Sequence, residues 1–329
     1  MGTARLLLRA VLPFLVALPL LVLVQAVSPL DWAIVLVAMG VNVILAVSLN
    51  VVNGFTGQFS IGHAAFMAVG AYTAALVTTG FRGLEIGFLP AGVVEALVFA
   101  AALVAGMATA SVAGLVVGIP SLRLRGDYLA IVTLGFGEII RVVIENTRVL
   151  GQATGISGLP PMTNIVWTGM GVVATVLMAR RLLLSTQGRA LLAIREDEVA
   201  AEAMGIDTVG WKVRAFVISA AFAGLAGGLL VHKILLVTPR MFTFVKSMEV
   251  VVMVVLGGMG SITGSVVAAT VLTLALEWLR GLEQYRMVIY SLLLIVLMLT
   301  RPSGLFGTKE VWDTLPRWLG GRRAEGGAP

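Results

Sequence analysis

The chain has 329 residues and no cysteine, which excludes disulfides, thiol catalysis and thiolate metal sites. Its two histidines, His63 and His232, are too few for a histidine metal centre, so no metal site is expected. Charge is scarce: Asp, Glu, Lys and Arg make up 12% of the residues, about half of what a soluble domain carries. No Gly-x-x-x-x-Gly-Lys-[Ser/Thr] loop occurs, and the glycine-rich stretch at 256–265 contains no lysine. The chain therefore cannot cradle ATP by the usual backbone route, and any ATP must be bound by a partner. Paired acids, or a nucleophile with its base near a surface, are missing as well, so neither catalytic residues nor a cofactor are expected.

What is present is apolar. Hydrophobic residues make up 59% of the chain and the mean hydropathy is +1.02, which a water-soluble globule cannot hide and a polytopic membrane protein need not. The 38 glycines fit the same class, because membrane helices associate by close backbone approach. A net charge of +6 with a pI near 10.2 would suggest nucleic acid in a soluble protein. Here the basic residues stand at the ends of apolar runs, where anchoring beside membrane lipid on the cytoplasmic side explains them without a nucleic-acid partner.

Apolar runs at 12–27, 32–52, 61–79, 88–118, 128–147, 164–184 and 215–236 read as membrane helices, the fourth being overlong for one span and expected to tilt or break. Between the second and third, residues 53–63 are uncharged yet full of glycine and small polar groups. Such backbone cannot face lipid and must be packed in protein or line a wet cavity. The run at 250–276 is interrupted by glycines at 257, 258, 260 and 264, which predicts a broken or re-entrant pair of helices. A last run covers 287–300. Two glycine-broken stretches, one in each half, form the pattern of a solute pathway near the midplane. The candidates along it are Asn53, Gly54, Gly57, Ser60, Gly62, Gly257, Gly258, Gly260, Ser261 and Gly264. Close helix packing is the alternative use of the same glycines.

The polar island at 185–214 is the longest water-loving segment between apolar ones. Leu191, Leu192, Ile194, Val199 and Met204 recur at helical spacing while Arg195, Glu196, Asp197, Glu198 and Glu202 cover the other side, so a short amphipathic helix is predicted over 195–205. Its acidic face suits a protein partner better than a membrane surface. With the N-terminus inside, Lys and Arg favour the cytoplasmic loops by roughly two to one, which puts the island and both termini in the cytoplasm. The expectation is an all-α membrane protein of about eight full spans plus a broken hairpin, with ten spans as the alternative. Residues 1–307 then form one transmembrane domain, and 308–329 a polar cytoplasmic tail.

In the fifth run Glu138, Arg141, Glu145 and Arg148 alternate in sign at helical spacing. If that helix begins near Leu129, Glu138 lies about 13 Å along it, near mid-membrane, and Glu138 and Arg141 are expected to pair. The pair is either structural or part of a transport site. Glu95 and Glu138 would be the acids of a proton-coupled secondary transporter, the rival reading.

Several stretches together resemble the LivM-type permease subunits of branched-chain amino acid ABC importers. They are Asn53-Gly54-x-x-Gly57-x-x-Ser60-x-Gly62, then Gly126-Asp127-Tyr128-Leu129-Ala130 running on to Gly137-Glu138, then Gly188-Arg189-Ala190 with Ala193-Ile194-Arg195-Glu196-Asp197, then Gly257-Gly258-Met259-Gly260-Ser261, and finally Arg301-Pro302-Ser303-Gly304. The resemblance covers about 40–307. It implies an importer in the inner membrane of a prokaryote, built from two paralogous permeases forming a heterodimer, two cytoplasmic ATPase subunits and a periplasmic solute-binding protein. The island would be its coupling segment, with Gly188, Arg195, Glu198, Glu202 and Gly205 at the ATPase. The solute implied is a branched-chain amino acid, with urea, amides or carboxylates as neighbouring possibilities. The sequence departs from the family where Thr-Gly-Gly followed by Asn-Gly is usual, reading Ala153-Thr154-Gly155-Ile156-Ser157-Gly158 instead.

Overall fold

The computed structural model describes residues 2–83, 90–122 and 128–279, together with Leu292, Ile295, Gly304, Leu305, Gly307 and Glu310. The chain folds as helices α1 (Gly2–Val27), α2 (Leu30–Asn53), α3 (His63–Gly80), α4 (Ala91–Ser121), α5 (Tyr128–Asn146) and α6 (Ile165–Leu184). After these come α7 (Thr186–Glu196), α8 (Glu198–Ala203), α9 (Thr208–Ile234), α10 (Phe244–Gly257) and α11 (Ile262–Trp278). Two short strands, β1 (Ile156–Ser157) and β2 (Leu236–Val237), pair antiparallel and tie the α5–α6 connection to the end of α9. The departure at 153–158 falls in this small paired loop.

Among the described residues four helices are long and apolar enough to cross a membrane: Trp32–Asn53, Ala91–Ser121, Ile165–Leu184 and Thr208–Ile234. Shorter apolar helices cover Val16–Val27 and Ile262–Trp278. The expected last run at 287–300 lies almost wholly outside the described residues. The overlong fourth run does not break: α4 is one helix of 31 residues with Pro120 in its last turn. At 1.5 Å per residue it is about 46 Å long, more than the roughly 30 Å of a hydrocarbon core.

The centre of the bundle is a crossing of α3, α4 and α9. A Cβ on Gly106 would lie 2.8 Å from the Gly70 carbonyl oxygen, and one on Gly224 would lie 2.6 Å from the Gly106 carbonyl oxygen. A Cβ on Gly70 would run into the Gly224 backbone. Only glycine permits three backbones to meet this closely. Along the same seam Phe66 stacks edge-on against Phe216 at 5.3 Å, and the buried His232 is held by Thr78 Oγ1 at 2.8 Å and by the Gly228 carbonyl at 2.8 Å. α2 packs against this crossing and is buried from Gly40 to Asn53. Ile44, Leu45 and Leu49 are fully buried, Ser219 on α9 donates to the Ser48 carbonyl at 2.7 Å, and Asn42 donates to Thr273 on α11 at 3.0 Å.

Gly224→Val is expected to lower stability by about 1–3 kcal/mol or more through overpacking. Gly92 has nothing within 4 Å of its Cβ position, and Gly92→Ala is expected to leave stability unchanged or slightly raised. Thermal unfolding of the detergent-solubilised protein separates the two.

Candidate functional site

The first break begins where α2 ends. Asn53 folds the chain back by accepting from the Ser60 amide at 3.2 Å, Thr56 donates to the Val52 carbonyl at 2.6 Å, and Gly57 turns at φ +70°. The segment then passes α5, where the Ile61 amide donates to Thr133 Oγ1 at 3.2 Å and Gly62 packs against the Thr133 carbonyl. His63 opens α3 as a packed residue, buried with its Nε2 3.0 Å from Ser48 Oγ. The next amide, Ala64, donates to Ser247 on α10 at 3.1 Å, so an orphan donor of the α3 N-terminus is satisfied across the bundle.

The second break follows α10. Gly258 and Gly260 adopt φ +109° and +96°, a region that favours glycine, and Ser261 caps α11 by accepting from the Gly264 amide at 3.0 Å. Gly257 and Gly264 bring the two helices into backbone contact, with a Cβ on Gly257 falling 2.5 Å from the Gly264 carbonyl oxygen. Glu310 completes the cap. Its carboxylate accepts from the Ile262 amide at 2.6 Å, the Thr263 amide at 3.0 Å and Thr263 Oγ1 at 2.5 Å, a favourable place for negative charge at a helix N-terminus. Glu310 thus belongs to the folded body although the sequence assigned it to a polar tail.

The two breaks meet. The Asn50 side chain, from the last turn of α2, donates to the Ser261 carbonyl at 3.0 Å and accepts from the Gly260 amide at 2.9 Å, pairing with the second break as a strand would. Gly54 leaves no room for a Cβ against the same Gly260 amide. Of the candidate path residues, Gly57 is exposed and Gly260 half-buried, while Ser60 and Ser261 are enclosed by this chain's own helices at 2% and 0% exposure.

The island is two helices rather than one over 195–205. Asp197 stops α7 and starts α8, accepting from the amides of Val199 and Ala200 at 2.9 and 3.0 Å, because an Asp at an N-cap competes with helix continuation. Ser185 caps α7, and Gly188 lies 2.5 Å, at its Cβ position, from the Leu183 carbonyl oxygen, so the turn out of α6 requires it. Gly205 ends α8 at φ +83°. Glu198 is ion-paired at 2.5 Å with Lys212, which is 2% exposed, and Glu202 accepts from Thr208 Oγ1 at 2.9 Å. Both acids are therefore engaged with α9. Exposed on α8 and its end, beside Glu202, are two large apolar side chains, Val199 at 62% and Met204 at 83% exposure. Arg195 turns inward, its Nη1 donating to the Gly54 carbonyl at 3.1 Å. This places the breaks within one side chain's reach of the island, toward that end of the bundle.

In α5 the expected pair is a triad. Arg141 donates to Glu138 at 2.7 Å and to Glu145 at 3.0 Å, one cation shared by two carboxylates, all three side chains being partly exposed. Glu138 also borders a small recess with Gly62, Phe242 and Ser247. Glu95 is exposed near the start of α4, across a cleft from Arg82. Arg141→Met strands two like charges and is expected to reduce the yield of folded complex most. Glu138→Gln leaves Arg141 its second partner and costs less. The triple change to Gln, Met and Gln at 138, 141 and 145 recovers the yield, all losses staying below the roughly 3–5 kcal/mol of a fully buried pair. Size-exclusion yields decide; full assembly of the single variants with loss of uptake would assign the triad to transport instead.

Over residues 32–299 the chain matches the family described as branched-chain amino acid transport system, permease component. It is 37% identical over 300 residues to the high-affinity branched-chain amino acid transport system permease protein LivM of Salmonella typhimurium, spanning 80% of this chain and 67% of that protein. LivM of Escherichia coli matches to the same extent. LivH of Escherichia coli is 28% identical over 290 residues, spanning 82% of this chain and 92% of that protein. No solved structure matches. With four apolar helices of spanning length, two glycine-held breaks and a projecting capped segment, the chain belongs to the permease family of branched-chain amino acid transport systems.

Proposed function

We propose that this chain is a transmembrane permease subunit of an ATP-binding-cassette importer and forms, with a paralogous permease subunit, the membrane path for leucine, isoleucine and valine. The observation that carries this reading is its similarity to LivM at 37% against 28% to LivH. The chain takes the place of LivM, and its partner is a LivH-like paralogue. Two cytoplasmic ATPase subunits drive it and a periplasmic binding protein delivers the solute. Both termini and the α7–α8 segment lie on the cytoplasmic side of a prokaryotic inner membrane. Arg180, Arg181, Arg189 and Arg214 flank or lie within that segment and are exposed, in keeping with cytoplasmic anchoring.

In this reading α8 seats on the ATPase through Val199 and Met204, while Glu198 and Glu202 brace it against α9. An exposed methionine is an adaptable apolar anchor for such a contact. Gly205 supplies the left-handed turn behind it. Met204→Asp is expected to lower uptake about ten-fold or more and to weaken co-purification of the ATPase subunits, with the permease pair intact. Gly205→Val is expected to uncouple hydrolysis from uptake in an assembled complex. Normal transport by both variants would sink the docking role. The solute itself is tested on the cognate binding protein: calorimetry should register leucine, isoleucine and valine, and binding of urea or a carboxylate in their place would change the substrate class.

The breaks are proposed to line the route at the interface with the paralogue. Single cysteines at Ser60 and Ser261 would be the only thiols in this subunit. Both positions are buried, so labelling by a small membrane-impermeant reagent is expected to be slow at rest and to change with nucleotide state. Inertness in every state removes them from the route.

A further inference from the structure

The island and the two breaks are joined by one side chain whose geometry is unlike that of a docking residue. Arg195 leaves the last turn of α7 and turns away from solvent toward the C-terminus of α2, where its Nη1 hydrogen-bonds the Gly54 carbonyl at 3.1 Å. That carbonyl is an orphan acceptor of a helix end, where partial negative charge collects, so a guanidinium is the matching group. The same Nη1 stands 2.6 Å from where a Cβ on Gly260 would be, just beyond the C-terminus of α10. The stem passes Gly57, whose Cβ would lie 3.1 Å from Arg195 Cγ. Gly57 and Gly260 therefore do two things at once: their positive φ turns the chain, and their missing side chains leave the slot that Arg195 fills.

On its other side Arg195 belongs to a tied unit. Asp197 caps α8 directly after it, and Glu198 is locked to the buried Lys212 at the start of α9. A push on α8 is thus carried by short, capped helices to a guanidinium lodged between the two breaks, which Asn50 already holds together. We infer that Arg195 is the positioning residue that transmits movement of the α7–α8 segment to both helix breaks, and that it makes no docking contact with the ATPase. This rests on the importer reading above.

The test uses the full complex of both permeases, the ATPase subunits and the binding protein in proteoliposomes, measuring ATPase co-purification, ATP hydrolysis and solute uptake for Arg195→Ala and Arg195→Lys. Expected for Arg195→Ala are retained ATPase subunits and basal hydrolysis, with uptake per ATP hydrolysed reduced about ten-fold, within the usual range of a coupling free energy. Arg195→Lys keeps the charge but loses the planar fork and is expected to assemble with a smaller reduction. An unchanged uptake-to-hydrolysis ratio in both variants overturns the inference. Loss of the ATPase subunits from assembled permease pairs also overturns it, by making Arg195 a docking residue. Should Arg195→Ala fail to assemble at all, the ratio measured for Arg195→Lys decides by itself. Absence of uptake by the unmodified complex is a separate failure, of the importer reading.

Discussion

The constraint on which the rest of the structure depends is the glycine crossing of α3, α4 and α9. Inside a bilayer, burying apolar side chains between helices gains little over leaving them in lipid, so close packing and polar contacts must hold the bundle. Gly70, Gly106 and Gly224 let three backbones approach with no side chain between them. The seam that results fixes these helices, so that α9 presents Ser219 to α2 and the end of α3 brings Thr78 to His232. Once α2 is seated, Asn50 and Gly54 are delivered to the second break with no further adjustment.

The class of the protein and the position of its special segments were legible in the sequence, for physical reasons. Apolar runs of spanning length have few other uses, and uncharged glycine-rich backbone between them must be hidden from lipid. Residues 53–63 and 257–264 proved to be breaks, and Gly205 proved to end a helix at positive φ. The partners of these segments were not legible, because they come from far along the chain. Asn50 lies within an apolar run, and its amide is the one signal that marks it: a polar group there must be satisfied. Glu310 carried no signal at all, since a carboxylate in a polar tail looks solvated until a helix N-terminus is found against it.

The island illustrates a different limit. Helical periodicity across 191–204 is real, yet it cannot reveal a cap in the middle of the pattern. Asp197 accepts two amides and divides the segment, which rotates the face read as acidic. Glu198 turns to Lys212 on α9 and Glu202 reaches Thr208, while Val199 and Met204 join Glu202 among the exposed side chains. Four helices of spanning length stand among the described residues, and the expected run at 287–300 lies almost wholly outside them. α5 is the instructive case, for it is a helix of 19 residues whose charges neutralise one another locally through Arg141.

Glu310 also imposes an order in time. The Ile262 amide waits for a carboxylate 48 residues further along the chain, and at usual elongation rates that is an interval of roughly two to ten seconds. Asn50 waits far longer, since Gly260 is synthesised 210 residues after it. The local bonds of the first break can thus form early, while the cap of α11 stays incomplete until Glu310 has been made. The connection between the breaks can therefore form before the cap that finishes α11.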